Sequence, residues 1–325
     1  MSYGVYKLKN IGLPVIMSIE QFADKVGFSY SFVSTLYERS DSFYKVFAIP
    51  KKNSHESRII SHPNRDLKAV QSWILRNILD LLYVSENSKG FEKKSSILDN
   101  ALPHATSNYI LSLDLENFFT SIKINKIIQI FLSIGYNKEV SLFLASICTF
   151  EKSLPQGAPT SPKLANLVCS RMDARIQGYS SKKNIIFTRY ADDITLSSLT
   201  IKKLTIAKKV VEAIIKNEGF TLNEKKTRFL GLRNRRKVTG LIISGNNEVR
   251  FGREKFKILR RTLYLFLKSG GQVSDINYIN GMLSYVYGVD PKTYKMLFEY
   301  INKLCLKFNI TDPNMYGLKK ISKQV

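Results

Sequence analysis

The chain has 325 residues, 44% of them hydrophobic, which is enough to bury a full core and suits two or three subdomains better than one compact unit. Its 50 Lys+Arg against 26 Asp+Glu give a formal charge of +24, the electrostatic signature of a protein that meets a polyanion such as nucleic acid. No run of ~18 apolar residues and no charged-apolar-small leader occurs, so no membrane span and a cytoplasmic location are expected. Scattered Cys148, Cys169 and Cys305, and three histidines without ligand spacing, exclude a disulfide scaffold and a structural zinc.

Residues 1–42 read as helical, with Ile19, Phe22, Ala23 and Val26 at helical spacing before Gly27. Tyr44 to Ile60 predicts a hairpin with arms YKVFAIP and SRIIS, placing Lys51, Lys52 and Arg58 at or near its tip. Leu67 to Leu82 is an amphipathic helix with Leu67, Val70, Ile74, Ile78 and Leu81 on one stripe. Gly90-Phe91-Glu92 opens a loop, a short helix ends near Asn100, and Tyr109 to Asp114 reads as a buried strand ending on a carboxylate. A helix is expected over Ile122 to Ile134, up to Gly135. Leu154 to Pro162, with three prolines and a glycine, is a loop; Ser161 as N-cap and Pro162 at N1 open the next helix, whose buried face is Leu164, Ala165, Val168, Met172 and Ile176.

Asn184 to Ser197, NIIFTRYADDITLS, predicts a buried hairpin with Ala191-Asp192-Asp193 at its turn. A helix over Ile201 to Glu218 stops at Gly219, followed by a short strand (Phe220 to Leu222), a turn with Lys225 and Lys226, and strands near Arg228 to Leu232 and Lys237 to Ile243. The last eighty residues or so are mostly helical, with Phe256, Leu259, Leu263 and Phe266 on one stripe. Strand, helix, hairpin, helix, strand is an α+β plan. The positive charge is localised: Lys225 to Lys268 holds 14 basic residues and two acidic ones.

Two adjacent carboxylates in an apolar hairpin are costly, since unit charges ~4 Å apart repel by roughly 4 kcal/mol at an effective dielectric of about 20. A solvated turn is the ordinary explanation of an isolated Asp-Asp pair. Asp114 changes the balance: if its strand and the hairpin are neighbours in one sheet, Asp114, Asp192 and Asp193 converge on one edge. Such a cluster is a site for hard divalent cations, two of which, ~3.5–4 Å apart, can stabilise the attacking and leaving oxygens of phosphoryl transfer.

Tyr190-Ala191-Asp192-Asp193, Asp114 with Phe119 five residues on, and Leu154-Pro155-Gln156-Gly157 together resemble the motifs of reverse transcriptases. The resemblance implies a right-hand polymerase of fingers, palm and thumb, with residues 1–105 as N-terminal helices and fingers, 106–245 as palm with a finger insertion at about 124–153, and 246–325 as a basic helical thumb. It implies two Mg²⁺ ions on Asp114 and Asp192, with Asp193 supporting. Phe119 would be the steric gate against a ribose 2′-OH. Arg58 and one of Lys51 or Lys52 would hold the incoming triphosphate, Gln156 and Gly157 would line the nucleotide pocket, and Lys226 would protonate departing pyrophosphate.

Asn100-Ala101-Leu102-Pro103-His104 and Val238-Thr239-Gly240 resemble the elements that mark the reverse transcriptases of bacterial retrons. That narrower resemblance runs from about Leu8 to about Leu304. It implies binding of a structured non-coding RNA (msr-msd), priming from the 2′-OH of an internal guanosine, and copying of part of that RNA, with dNTPs as substrates, into branched msDNA, in association with an effector or toxin protein of an antiphage defence system. Asn100, His104, Val238, Thr239 and Gly240, with Arg253, Lys257, Arg260 and Arg261 of the basic segment, are the expected RNA-binding set. The competing readings are another bacterial reverse transcriptase, a palm-fold nucleotidyl cyclase, against which the Leu-Pro-Gln-Gly loop and basic C-terminus argue, and a non-catalytic RNA-binding protein, against which the intact acidic trio argues.

Overall fold

A computed structural model describes residues 3–50, 57–272, 275–311 and 317–318. Three helices open the chain: α1 (Tyr3–Asn10), α2 (Ile19–Val26) and α3 (Tyr30–Glu38). Ser18 and Ser29 cap α2 and α3 through their hydroxyls, and Gly27 ends α2 in the left-handed region at φ 75°. β1 (Tyr44–Pro50) and β2 (Ser57–Pro63) form an antiparallel ribbon in register Tyr44↔Pro63 to Pro50↔Ser57. α4 (Arg65–Asn77), capped by Asn64, is shorter than its apolar stripe predicts, because Ile78 leaves helical geometry and a 3-10 turn takes over at Leu79–Leu81.

After α5 (Ile97–Ala101) come β3 (Tyr109–Asp114), α6 (Phe118–Ser121), α7 (Ile124–Ile134) and α8 (Lys138–Ile147). The stretch expected as one helix up to Gly135 thus starts two residues later, and α8 follows it. α9 (Ser161–Lys182) has Thr160, not Ser161, at its N-cap position, one residue from the expected boundary. Its buried face holds Leu164, Ala165, Cys169, Met172 and Ile176, and also the polar Asn166 and Asp173.

β4 (Ile186–Tyr190) and β5 (Asp193–Ser198) are the two arms of the acidic hairpin, and α10 (Ile201–Asn217) ends at Gly219, φ 78°. Phe220 to Leu222, expected as a strand, contributes only a single bridge, Leu115↔Leu222. β6 (Arg228–Leu230) follows. The strand expected over Lys237 to Ile243 is instead a hairpin, β7 (Arg236–Val238) and β8 (Leu241–Ile243), because Thr239 and Gly240 both take positive φ, 44° and 84°, the pattern of a tight two-residue turn. β9 (Val249–Arg250) completes that sheet, and α11 (Arg253–Lys268), α12 (Ile276–Val289) and α13 (Pro291–Lys307) follow.

The sheets are β1-β2, β4-β5-β3-β6 and β7-β8-β9, and the pairings β1–β2, β3–β6, β7–β8 and β8–β9 are antiparallel, an α+β architecture of the kind a right-hand polymerase requires. The chain divides into two compact units. The first comprises Met1–Ser95, Leu113–Ile194 and Thr205–Thr227; the second comprises Ser96–Ser112, Thr195–Leu204 and Arg228–Val325. The second unit has its own core, in which Leu259, Leu263 and Phe266 of α11 pack with Leu283 and Val286 of α12 and Leu297 and Ile301 of α13. Cys148, Cys169 and Cys305 are buried free thiols, and no helix among the described residues is long and apolar enough to cross a membrane.

Candidate active site

β3 delivers Asp114 to its place because the strand is anchored in the core by Ile110, Leu111 and Leu113, all fully enclosed. Asp114 itself is 6% exposed. Two backbone hydrogen bonds tie its surroundings together: Asn223 N–H donates to the Asp114 carbonyl at 2.8 Å, and Leu115 N–H donates to the Asp192 carbonyl at 3.0 Å. Asp192 lies in the hairpin turn and Asp193 opens β5, so the three carboxylates expected to converge do lie on one edge of the first unit. The turn is left-handed at Ala191, φ 57°, which a residue with a Cβ adopts only under surrounding restraint.

The electrostatics show what such a cluster wants. Burial, and then the Asp114 charge, push the Asp192 carboxyl above its usual range against the pull of its own backbone hydrogen bond, Lys226 and Arg58. Burial, then the Asp192 and Asp114 charges, raise Asp193 to about 6 against the pull of Lys226. Lys226 Nζ lies 2.9 Å from both Asp114 oxygens. Burial pulls the Lys226 ammonium down, but the Asp114 hydrogen bond and the charges of all three aspartates outweigh it and hold it above its ordinary value. Among the described residues no group of three His, Cys, Asp or Glu side chains is arranged as a closed ligand set. The donors nevertheless fit a hard cation: oxygen-only, acidic, mutually repelling, and with an ammonium spanning both oxygens of Asp114 as a cation would.

Arg58, on β2 opposite Ile49, is exposed and close enough to Asp192 to lower its pKa. Lys51 and Lys52 lie outside the described residues. The Leu-Pro-Gln-Gly loop docks on the same strand, with Ser61 N–H donating to the Gln156 carbonyl at 2.9 Å. Gly157 has φ 135°, and a Cβ there would sit 2.8 Å from the Ser61 carbonyl oxygen, so the close approach requires glycine. Phe119, half-buried on α6, has its ring 5.3 Å from Phe118 and 6.1 Å from Phe91.

The expected RNA-binding set divides in two. Asn100, His104 and Val238 are buried, and they face into the second unit. Asn100 Nδ2 donates to Thr239 Oγ1 at 3.5 Å, Thr239 Oγ1 donates to the Ile97 carbonyl, and His104 Nδ1 lies 2.6 Å from Ser197 Oγ. Burial drives the His104 pKa down to about 3, so its ring is neutral. Asn100 and Val238–Gly240, 139 residues apart at the Asn100–Thr239 contact, are thus brought together, and of them only Thr239 and Gly240 are partly open to solvent. Arg253, Lys257, Arg260 and Arg261 are exposed on α11. The Arg260 guanidinium lies over the rings of Tyr300 at 4.2 Å and Phe256 at 5.7 Å, which holds the cation in place.

Two residues of the site are not singled out by the motifs. Phe91, at φ 66°, brings its ring to 6.4 Å from Tyr190 as well as near Phe119. Arg189 is a fully buried arginine one residue before the acidic motif. A charged residue in the otherwise uncharged arm Ile186–Tyr190 is the available signal for it.

The reverse transcriptase (RNA-dependent DNA polymerase) family model matches residues 49–259. The chain is 44% identical over 304 residues to the Retron Ec86 reverse transcriptase of Escherichia coli, covering 93% of this chain and 94% of that one. It is 30% identical to the Retron Mx65 reverse transcriptase of Myxococcus xanthus, over 90% of this chain and 73% of that one. Among solved structures, apo telomerase from Candida tropicalis gives a TM-score of 0.49 at 11% identity, with this chain spanning 65% of the telomerase chain's length and 87% of its own.

Proposed function

The chain belongs to the reverse transcriptases of bacterial retrons, RNA-directed DNA polymerases, and on that premise we propose how its own residues carry the reaction. The family depends on divalent metal, and in our reading two Mg²⁺ ions are held by Asp114 and Asp192 with Asp193 in support. Bound there, the ions supply Lewis-acid stabilisation of the attacking and leaving oxygens and relieve the carboxylate repulsion. The observation that supports this best is the position of Lys226 across both Asp114 oxygens at 2.9 Å, a cation already drawn to the acidic edge. The Lys226 ammonium, held protonated beside the acidic trio, would be the proton donor to the departing pyrophosphate.

Arg58, with one of Lys51 or Lys52, binds the triphosphate, a guanidinium fork being suited to phosphate oxygens. Gln156 and Gly157 line the nucleotide pocket, and the Phe119 ring excludes a ribose 2′-OH by bulk. In this reading residues 1–105 form the N-terminal helices and fingers, 106–245 the palm with a finger insertion at about 124–153, and 246–325 the thumb. The nucleic-acid partner is the retron's structured msr-msd RNA, primed from the 2′-OH of an internal guanosine and copied into branched msDNA, in the service of antiphage defence with an effector protein. Thr239, Gly240 and the exposed Arg253, Lys257, Arg260 and Arg261 contact the RNA, while buried Asn100, His104 and Val238 shape that surface from within. Affinity then comes from phosphate contacts and specificity from the RNA's fold.

Asp192→Asn tests the reading. Incorporation of dNTPs on a primed RNA template is expected to vanish while RNA binding survives; retained synthesis would remove the metal assignment.

A further inference from the structure

Behind the acidic turn lies a polar network that the chemistry above does not use. The Arg189 and Asp173 side chains are both 0% exposed and form a two-pronged ion pair, Nε to Oδ1 at 2.8 Å and Nη2 to Oδ2 at 2.7 Å. Nη1 also donates to Asn166 Oδ1 at 3.1 Å and to the Ala191 carbonyl at 3.0 Å, and Nη2 donates to Ser88 Oγ at 3.1 Å. All five guanidinium N–H groups therefore have partners, and one of them is the backbone of the turn that carries Asp192.

The backbone of the same loop adds to this. Arg189 N–H donates to the Asn87 carbonyl at 2.8 Å, and Lys89 N–H donates to the Arg189 carbonyl at 2.7 Å. Asn166 Nδ2 in turn holds the Gly90 carbonyl and Glu92 Oε1, both at 2.8 Å. Gly90 passes so close beneath the hairpin that a Cβ on it would lie 2.6 Å from Ala191 N and 3.1 Å from the Tyr190 carbonyl carbon.

We propose that Arg189 and Gly90 are positioning residues: the buried guanidinium and the loop around Gly90 fix the left-handed Ala191–Asp192 turn, and so the aim of the Asp192 carboxylate. The physical reason is that a buried ion pair adds little to stability on its own, because well-packed apolar residues of similar size often serve as well or better. What the guanidinium supplies that a leucine does not is direction, through a rigid planar fork that grips a carbonyl at a defined angle. The turn needs it, since Ala191 is in a disfavoured conformation and the adjacent carboxylates push each other apart when no cation is between them. The inference rests on the reading of Asp192 as a metal-binding carboxylate.

The test uses the full-length enzyme with Gly90→Ala, Arg189→Lys, Ser88→Ala and, as a reference, Asp192→Asn. The readouts are Tm, Kd for Mn²⁺ by electron paramagnetic resonance without RNA, and kcat and KM for dNTP on a primed RNA template. Gly90→Ala is expected to fold and to keep its KM for dNTP, while kcat falls and the Mn²⁺ Kd rises by roughly ten- to a hundredfold. Arg189→Lys, which keeps the charge but loses the fork, is expected to show the same split, with Ser88→Ala changing both in the same direction by less. Should Arg189→Lys not fold, Gly90→Ala and Ser88→Ala decide. Variants that lose only Tm, with kcat per folded molecule and Mn²⁺ affinity unchanged, would overturn the proposal. If Asp192→Asn itself still polymerises, the metal reading beneath it has failed instead.

Discussion

At the scale of single residues, the acidic edge is a site under electrostatic tension that a cation relieves. A carboxyl whose folded pKa lies above its unfolded value binds its proton more tightly when folded, so it contributes stability at low pH that is lost as pH rises. For Asp193 that window runs from its ordinary value of 3.8 up to about 6, and Asp192 shifts in the same direction. Above the window the metal-free protein carries the repulsion in full and metal binding no longer competes with protons. The increment in Tm produced by Mg²⁺ is therefore expected to be larger at pH 7.5 than at pH 5; an increment that is equal or reversed would place the ion elsewhere. Phe119→Ala removes a ring that contacts Phe118 and lies near Phe91. It is expected to raise the kcat/KM for ribonucleotides relative to deoxynucleotides, and unchanged sugar discrimination would assign the gate to another side chain. The acids and Phe119 are legible in the sequence because each is marked by its immediate neighbours. Arg189 is marked only by its charge, and its role is not legible, because its partners Asp173, Asn166 and Ser88 lie 16, 23 and 101 residues away along the chain.

At the scale of elements, most helices and strands follow from apolar periodicity and punctuation. The departures are local and have local causes. β7 and β8 read as one strand because the apolar residues on either side of Thr239-Gly240 continue the same pattern, and only the two positive φ values reveal the turn. The face of α9 can be drawn from its apolar residues, yet Asn166 and Asp173 are as buried as any of them, since their partner is a buried guanidinium rather than water. The Leu-Pro-Gln-Gly loop shows an element held by one glycine. Gly157→Ala would place a Cβ against the Ser61 carbonyl at a φ of 135°, and the strain, on the order of 1–3 kcal/mol, is expected to lower Tm and raise the KM for dNTP as the loop lifts from β2. Thermal melting and steady-state kinetics of the variant check this; an unaltered KM would separate the loop from the nucleotide pocket.

At the scale of the whole molecule, the excess charge is the organising fact. The segment from Lys225 to Lys268 carries 14 basic residues against two acidic ones, and α11 displays Arg253, Lys257, Arg260 and Arg261 to solvent over its own apolar core. Reversing Arg260 and Arg261 to Glu is expected to weaken RNA binding and to lower the slope of log K against log salt by about one for every phosphate that is no longer neutralised. A slope that stays the same, measured by filter binding across a salt series, would place the RNA on another face. By itself the sequence determined the family, the α+β class, the identity of the acidic trio and the location of the charge. Those are carried by short motifs, by periodicity and by composition, all properties of neighbouring residues. Only the tertiary structure decided that Lys226 spans Asp114, that Asn100, His104 and Val238 are interior, and that Arg189 grips the turn beside Asp192. Burial and convergence depend on which distant segments fold against one another, and no local pattern encodes that.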